Sequence, residues 1–469
     1  MPVNSRHPLY SNKLARWNKQ RHAFDGEDAV KLHASLYLDR PEGFLDKHYE
    51  RYVRRAKWYG ATKRTVGALT GAIMQKPPVL SASARFLRTS QDITLSGIDL
   101  EDFALSILAD MNLIGRYGVL LDYSDEQKRP YWSGFPPEKI LNWRTERIDG
   151  EDRLTLIVLQ EHHEDFSSDF YDLTFKDRVR VGFLNSDGVY EVQIHEQPDG
   201  SANAFSMIES FIPERRKKPL PFIPFQFFGS TDLTPDISDG PMDDLCDVNY
   251  SYFRHSADYE HGLYLTGIPT PVVTGHENRD EVLAIGALTA WILPNPEAKA
   301  YFLEYQGMGL ETLERAMETD KQEMATLGAR LLEQMPGVQE TLGAVQLRHA
   351  GDTGSLRTIA NLVSQGMTRV IQVDHWWNGD TEEPLDEKYS IELNTDFSSM
   401  TMSAQDLLAL FTVFQGGGFS QETFLYNLQQ GERLPPDVSI EDEIRRIEIT
   451  QPTRLPFGDD ENEGVTDAA

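Results

Sequence analysis

Few sets of side chains in this chain have the types and spacing that chemistry requires. His162-His163-Glu164-Asp165 is its densest run of metal-ligating residues. The run falls in a segment that reads as a strand, where neighbouring side chains point to opposite faces, so His162 and His163 cannot chelate one ion together. His255 and His261 are six residues apart on an expected helix and therefore lie on different faces. The single cysteine, Cys246, excludes an intrachain disulfide framework and a multi-cysteine zinc site. Beside Leu245 on an apolar helix face, it reads as a small buried hydrophobe. Gly416-Gly417-Gly418 lacks the lysine and the preceding strand of a phosphate loop and reads as a loop. No G-x-x-x-x-G-K-[ST], G-x-S-x-G or H-E-x-x-H pattern occurs. Asp122 and Asp243-Asp244 are carboxylates without nuclease-like partners. No catalytic residue, cofactor site or metal site is expected.

The elements around these residues follow from periodicity. Residues 44–75 read as helical up to Lys76-Pro77-Pro78, where prolines stop a helix. Asp99 reads as the cap of a helix over 99–113, with Phe103, Ile107, Met111 and Ile114 at helical spacing. Gly118–Tyr123 reads as a buried strand, and 153–228 as a β region with a hairpin turn at Asp187-Gly188. Leu245, Val248, Tyr252, Tyr259 and Leu263 then mark a long helix, ended by Pro269 and Pro271. A small strand-rich module occupies 272–305. A second long helix runs over about 310–335 and breaks at Pro336-Gly337. A third continues to Trp377 and is expected to kink at Gly351 and Gly354. A strand near Tyr389–Asn394 precedes a helical region over 401–449. The fold class expected is α+β, with two long helices flanking a small β insert.

The chain has 469 residues, 45 Lys+Arg and 74 Asp+Glu, a formal charge of −29. That length suggests two to four structural units. Such acidity argues against a protein that coats nucleic acid, whose affinity comes from neutralising phosphates. The charge is uneven: residues 1–75 carry +7, which leaves −36 on the rest. Arg51, Arg54 and Arg55 share a helical face by their spacing. Asp459, Asp460, Glu461, Glu463 and Asp467 form an acidic tail. The N-terminus lacks the apolar core of a secretory signal, and the longest apolar stretch, Leu283–Leu293, is short for a bilayer span.

Ser256–Gly275, SADYEHGLYLTGIPTPVVTG, resembles a signature segment of a group of tailed-bacteriophage portal (head-to-tail connector) proteins. Tyr59–Thr65 with Lys76-Pro77-Pro78, Gly115–Tyr123, Ile140–Arg144, Gly418–Phe424 and Asp437–Glu448 are similar to other parts of that group in the same order. The resemblance implies a subunit of a ring, usually of twelve copies, at one capsid vertex of a virion assembled in the host cytoplasm. Such a ring is a conduit for double-stranded DNA in packaging and ejection. It docks the packaging terminase, the major capsid protein and the head–tail adaptor, and it needs no cofactor or membrane.

Carried onto this chain, residues 1–240 would be the mixed α/β wing. Residues 241–265 and 310–335 would be the two stem helices, 266–309 the clip, and 336–400 the tunnel loop, long wing helix and returning strand. Residues 401–469 would be the helical crown and acidic tail. Gly351–Gly354 departs from an uninterrupted wing helix, which places the tunnel loop either at Met335-Pro336-Gly337 or later. Arg330, Gln334, Met335, Gln339 and Arg348 are then candidates to touch DNA in the channel. Arg51, Arg54 and Arg55 are candidates for the subunit interface, facing an acidic surface of the next copy. An acidic channel wall would repel the DNA backbone and let the duplex slide, an effect confined to about 8 Å at physiological salt. Two alternatives are another virion structural protein such as a head–tail adaptor, which would usually be shorter, and an acidic metal-dependent nuclease.

Overall fold

The computed structural model describes residues 2–169, 172–198, 205–268, 270–275, 291, 295–303, 307–329, 342–395, 397, 404–416, 418–430, 434 and 438–450. The chain divides into a large unit, residues 1–396, and a smaller one, 397–469.

The large unit begins with α1 (Pro8–Asp25) and α2 (Glu27–Leu32). The single helix expected over 44–75 is instead two, α3 (Asp46–Arg55) and α4 (Ala61–Ile73). The chain turns extended at Ala56, and tertiary bonds hold it so. Ser256 Oγ accepts from the Lys57 amide at 3.0 Å and donates to the Lys57 carbonyl at 2.8 Å, while Asn249 Nδ2 donates to the Tyr59 carbonyl at 2.7 Å. These bonds satisfy backbone groups that a continuous helix would have paired internally.

After β1 (Val79–Ser81) and α5 (Phe86–Thr89) comes α6 (Leu100–Leu113), where Asp99 caps the first turn by accepting from the Asp102 amide at 2.8 Å. Then follow β2 (Arg116–Ser124), β3 (Arg129–Phe135), β4 (Ile140–Ile148), β5 (Glu151–Asp169), β6 (Asp172–Leu184), β7 (Tyr190–Glu196) and β8 (Ser206–Phe211). Strands β4 to β8 form a five-stranded antiparallel meander in sequence order. The Asp187-Gly188 turn joins β6 to β7 as expected, with Leu184 opposite Tyr190. A short hairpin, β9 (Glu214–Arg215) with β10 (Lys218–Pro219), precedes β11 (Phe225–Gly229), which pairs with β2 beside β3.

Next come α7 (Asp243–Gly267), β12 (Thr270–Thr274), β13 (Lys299–Leu303), α8 (Leu310–Met324) and α9 (Leu342–Asn378), and β14 (Ser390–Glu392) pairs with β1. The helical assignment of α9 continues through Gly351 and Gly354, where a kink is expected. Isolated glycines weaken a helix by about 1 kcal/mol each, too little by itself to end one. Ile359, Ala360, Val363, Met367, Val370 and Ile371 of α9 are buried in the core with Phe103, Ile107, Leu108 and Met111 of α6 and Phe227 and Phe228 of β11. At Gly366 a Cβ would lie 2.4 Å from the Phe228 ring, so only glycine permits this approach of helix to sheet.

A polar stripe four residues apart on α9 ties down the returning strand. Ser364 Oγ accepts from the Leu393 amide, Thr368 Oγ1 exchanges bonds with Ile391, and Gln372 Nε2 donates to the Tyr389 carbonyl. The β9–β10 hairpin clamps the other end of α9. Arg215 donates to the carbonyls of Trp376 and Thr381, Arg216 Nη2 donates to that of Gly379, and Arg216 Nη1 pairs with Glu382. Cations at a helix C-terminus satisfy its last carbonyls and complement its dipole.

In the smaller unit α10 (Ala404–Gln415), α11 (Gln421–Gln430) and α12 (Ile440–Thr450) fill the region expected to be helical. Phe414 stacks on Phe424 at 4.5 Å.

Candidate functional site

The α7–ribbon–α8 segment is a long helix pair joined by a short β ribbon. The two helices run antiparallel. Leu245 and Met324 share a buried cluster with Ala61 and Tyr252 at one end, and His255 Nδ1 lies 2.7 Å from Asp320 Oδ2 midway. Burial along α7 thins after Ala257, and Leu263, Tyr264 and Ile268 are exposed. The β12–β13 ribbon joins the helices, with Thr270 opposite Leu303 and Thr274 opposite Lys299. Its Tyr301, Phe302 and Leu303 are each more than half exposed, at 51%, 56% and 60%. No described helix is long and apolar enough to cross a membrane.

The base of α7 is fastened to α1 by alternating charges. Lys13 pairs with Asp239, Arg16 with Asp243 at 2.7 Å and Lys19 with Asp247; Gln20 Nε2 also donates to Asp243. Farther along, Lys57 pairs with Glu260, and the Arg55 guanidinium lies 3.6 Å from the Tyr264 ring centroid. Much of the N-terminal positive charge is thus answered within the chain. Arg51 and Arg54 are exposed on α3, while Arg55 turns onto α7. The pairings of α1 escaped the sequence reading. Their signal was the basic excess of residues 1–75 set against the acidic run Asp236–Asp247.

Beyond Met324 the second helix widens to a π-helical turn, Ala325–Ala329. Gly328 sits against α7 and α4: a Cβ there would lie 2.2 Å from Leu245 Cδ1 and 2.7 Å from Thr65 Oγ1. Gly328→Ala is therefore expected to destabilise the chain by about 1–3 kcal/mol, as overpacking of a filled interior does. Urea unfolding monitored by tryptophan fluorescence measures this, and an unchanged midpoint would mean that the turn relaxes freely.

Arg330, Gln334, Met335 and Gln339 lie outside the described residues. Arg348 falls in the first turns of α9, where only the backbone is described.

The residues weighed for chemistry are dispersed. His162 Nδ1 pairs with Asp177 at 2.9 Å across the β5–β6 ladder. His261 packs on Phe44 and Tyr52, away from the Asp320 that meets His255, so the two histidines do face different ways. Cys246 is buried, and burial pushes its thiol up to about 12, so it is an unreactive packing group. Asp122 is held by Arg180 at 2.8 Å, and Asp243 by Arg16 and Gln20. The Gly416 and Gly418 amides donate to the Thr412 and Val413 carbonyls, ending α10 rather than cradling a phosphate. Among the described residues no group of three His, Cys, Asp or Glu is placed to hold a metal ion.

The class these features define is a mixed α+β fold with an antiparallel helix pair that carries a small β ribbon. A family described as a domain of unknown function, DUF4055, matches residues 241–378, the span from α7 through α9. No curated protein matches the chain. Solved structures similar to it include one described as the neck of an empty GTA particle computed with C6 symmetry, at 13% identity and a TM-score of 0.39, covering 85% of this chain and 96% of that one. Another is the virion of a native gene transfer agent particle, at 14% identity and a TM-score of 0.37, covering 86% and 98%. A third is the neck of a native GTA particle computed with C12 symmetry, at 12% identity and a TM-score of 0.38, covering 85% and 98%.

Proposed function

We propose that the chain is a portal subunit: a non-enzymatic structural protein that forms a ring at one vertex of a phage-type particle. The ring passes double-stranded DNA and docks the packaging terminase, the capsid and the head–tail adaptor. The observation that carries this reading is the antiparallel α7–α8 pair with its apolar, exposed ribbon. Among the described residues the ribbon has two strands, which are marginal in water by themselves, so the exposed Tyr301, Phe302 and Leu303 favour cover by a neighbouring copy. A head-to-tail ring supplies that cover identically at every subunit. In this reading α7 and α8 belong to the stem, β12–β13 to the clip and α10–α12 to the crown, and Arg330, Gln334, Met335, Gln339 and Arg348 are the candidates to touch DNA in the channel.

The acidity of the chain then has a mechanical use. A wall of lysine and arginine would bind each passing phosphate and release its counterions, which slows translocation. Helix α8 carries Glu311, Glu314, Glu318 and Glu323 on its exposed surface against Arg315 and Lys321, so a ring of such helices repels the DNA backbone from its wall. Arg51 and Arg54 remain available to a neighbour.

Electron microscopy of the purified chain is expected to show rings with about twelve-fold projection symmetry. Phe302→Asp should abolish the rings and leave the monomer melting temperature within about 2 °C of the parent, since the side chain is exposed within the subunit. A chain that stays monomeric at high concentration in every salt condition overturns the proposal.

A further inference from the structure

Helix α7 lies between two helices, α3 and α8, whose outward faces carry opposite charge. Toward α8 it presents Tyr252, which shares a buried cluster with Met324, and His255, which meets Asp320. Toward α3 it presents Asp258, His261 and Tyr264. Asp258 accepts from the Tyr52 hydroxyl at 2.5 Å, the His261 ring lies 5.6 Å from that of Tyr52, and the Arg55 guanidinium sits over Tyr264. At about 100° per residue the two sets point to opposite sides of α7, so α3 and α8 occupy opposite flanks of it. They also stand at the same height. The α7–α8 pair is antiparallel with His255 beside Asp320, so residues 258–264, where α3 packs, are level with residues 311–317 of α8.

The face of α3 away from Tyr52 bears Lys47, Arg51 and Arg54, spaced i, i+4 and i+7, with Glu50 among them. All three cations are exposed, and none of them meets a carboxylate among the described residues. The face of α8 away from Asp320 and Met324 bears Glu311, Glu314 and Glu318, spaced i, i+3 and i+7 and all exposed. Arg315 pairs with Glu311, and Lys321 lies 3.6 Å from Glu318, which leaves Glu314 unanswered among the described residues. Exposed pairs along one helix contribute little, so they do not tie these glutamates down.

A cationic face and an acidic face on opposite flanks of one helix cannot meet within a chain. Between copies arranged head to tail they meet at every interface, and such contacts generate a ring when the rotation closes. We propose that the α3 face of Lys47, Arg51 and Arg54 docks on the α8 face of Glu311, Glu314 and Glu318 in a second copy of this chain. The inference rests on the ring reading above and names the surfaces that close the ring. Two of the three cations are arginines, whose planar forks take both oxygens of a carboxylate. Glu323, about 140° round α8 from Glu318, stays clear of this contact and is left to the channel.

The test is ring formation by the full chain, followed by sedimentation and electron microscopy. Arg51→Glu with Arg54→Glu makes both flanks acidic, and Glu314→Lys with Glu318→Lys makes both basic. Each double variant should melt within about 2 °C of the parent as a monomer, since all four positions are exposed. Each should need at least about tenfold more protein than the parent to form rings, because like charges then face one another. An equimolar mixture of the two should form rings at the parent's concentration, with the variants alternating, since every acidic α3 then meets a basic α8 and the reverse. Where a double variant fails to fold, the single exchanges Arg54→Glu and Glu314→Lys take its place in the mixture. A mixture that assembles no better than either variant alone overturns the proposal. Rings unchanged in both variants also overturn it, while the ring reading stands with another interface; a DNA duplex released by the α3 variant in that case would assign the face to DNA. A parent that forms no ring overturns both.

Discussion

Arg21→Ala is expected to cost the large unit about 3–5 kcal/mol, the usual consequence of stripping one partner from a buried ion pair. Arg21, on the inner face of α1, grips two carboxylates at once. Its Nη1 and Nη2 donate to Asp110 at 2.6 and 3.1 Å, and its Nε and Nη2 donate to Glu138 at 3.0 and 3.1 Å. Asp110 lies in α6 and is 7% exposed. Burial pushes the Asp110 carboxyl up, and Arg21 is what opposes that push. Without the guanidinium, Asp110 either stays ionised and unpaired or takes a proton.

The variant should therefore gain stability relative to the parent on acidification, because protonation relieves the exposed cost. Asp110→Asn in the same background should recover part of the loss. Guanidinium unfolding of the parent, the single and the double variants measures both effects. A loss under about 1 kcal/mol would mean that the three-way grip contributes no more than a surface pair.

Asp374→Asn is expected to flatten the pH dependence of stability between about 4 and 7. Asp374, near the end of α9, is 5% exposed; its Oδ2 accepts from the Trp132 indole at 3.0 Å and its Oδ1 from Asn378 at 3.0 Å. Burial raises its pKa to about 7, against the opposing influence of those two bonds and of Arg85 and Arg129. An acid raised in the fold contributes stability that is fully present below its unfolded value of 3.8 and is lost as pH rises through about 7. The interval corresponds to about 4 kcal/mol. The parent should melt lower at pH 7.5 than at pH 5 through this group. The asparagine, which keeps an acceptor for Trp132 and carries no charge, should melt above the parent at pH 7.5. Melting curves of both chains across this range decide the matter, and parallel pH profiles would show that Asp374 is ionised throughout.

Both residues illustrate how much the chain's own order reveals. The capped helix at Asp99, the hairpin at Asp187-Gly188 and the two long helices around a β insert were legible because their signals are local. Each is a periodicity, a cap or a turn within a few residues. The packing role of Cys246, the separation of His255 from His261 and the loop at Gly416–Gly418 were legible for the same reason. They depend on which face of an element a residue occupies.

What the tertiary structure alone decided concerns groups far apart in the chain. The helical pattern of 44–75 is broken because Ser256 and Asn249, some two hundred positions away, bond its backbone more effectively than another turn would. Glycines 351 and 354 do not end α9, because their local cost is small beside the burial of its residues from Leu356 onward. Gly328 and Gly366 earn their places from Leu245, Thr65 and Phe228, none of them near in sequence. The positive charge of Lys13, Arg16, Lys19 and Lys57 is answered by Asp239, Asp243, Asp247 and Glu260 of the same chain, more than two hundred positions away. Spacing records which residues share a face of one element. Which face meets which carboxylate is set by long-range packing that no local pattern encodes.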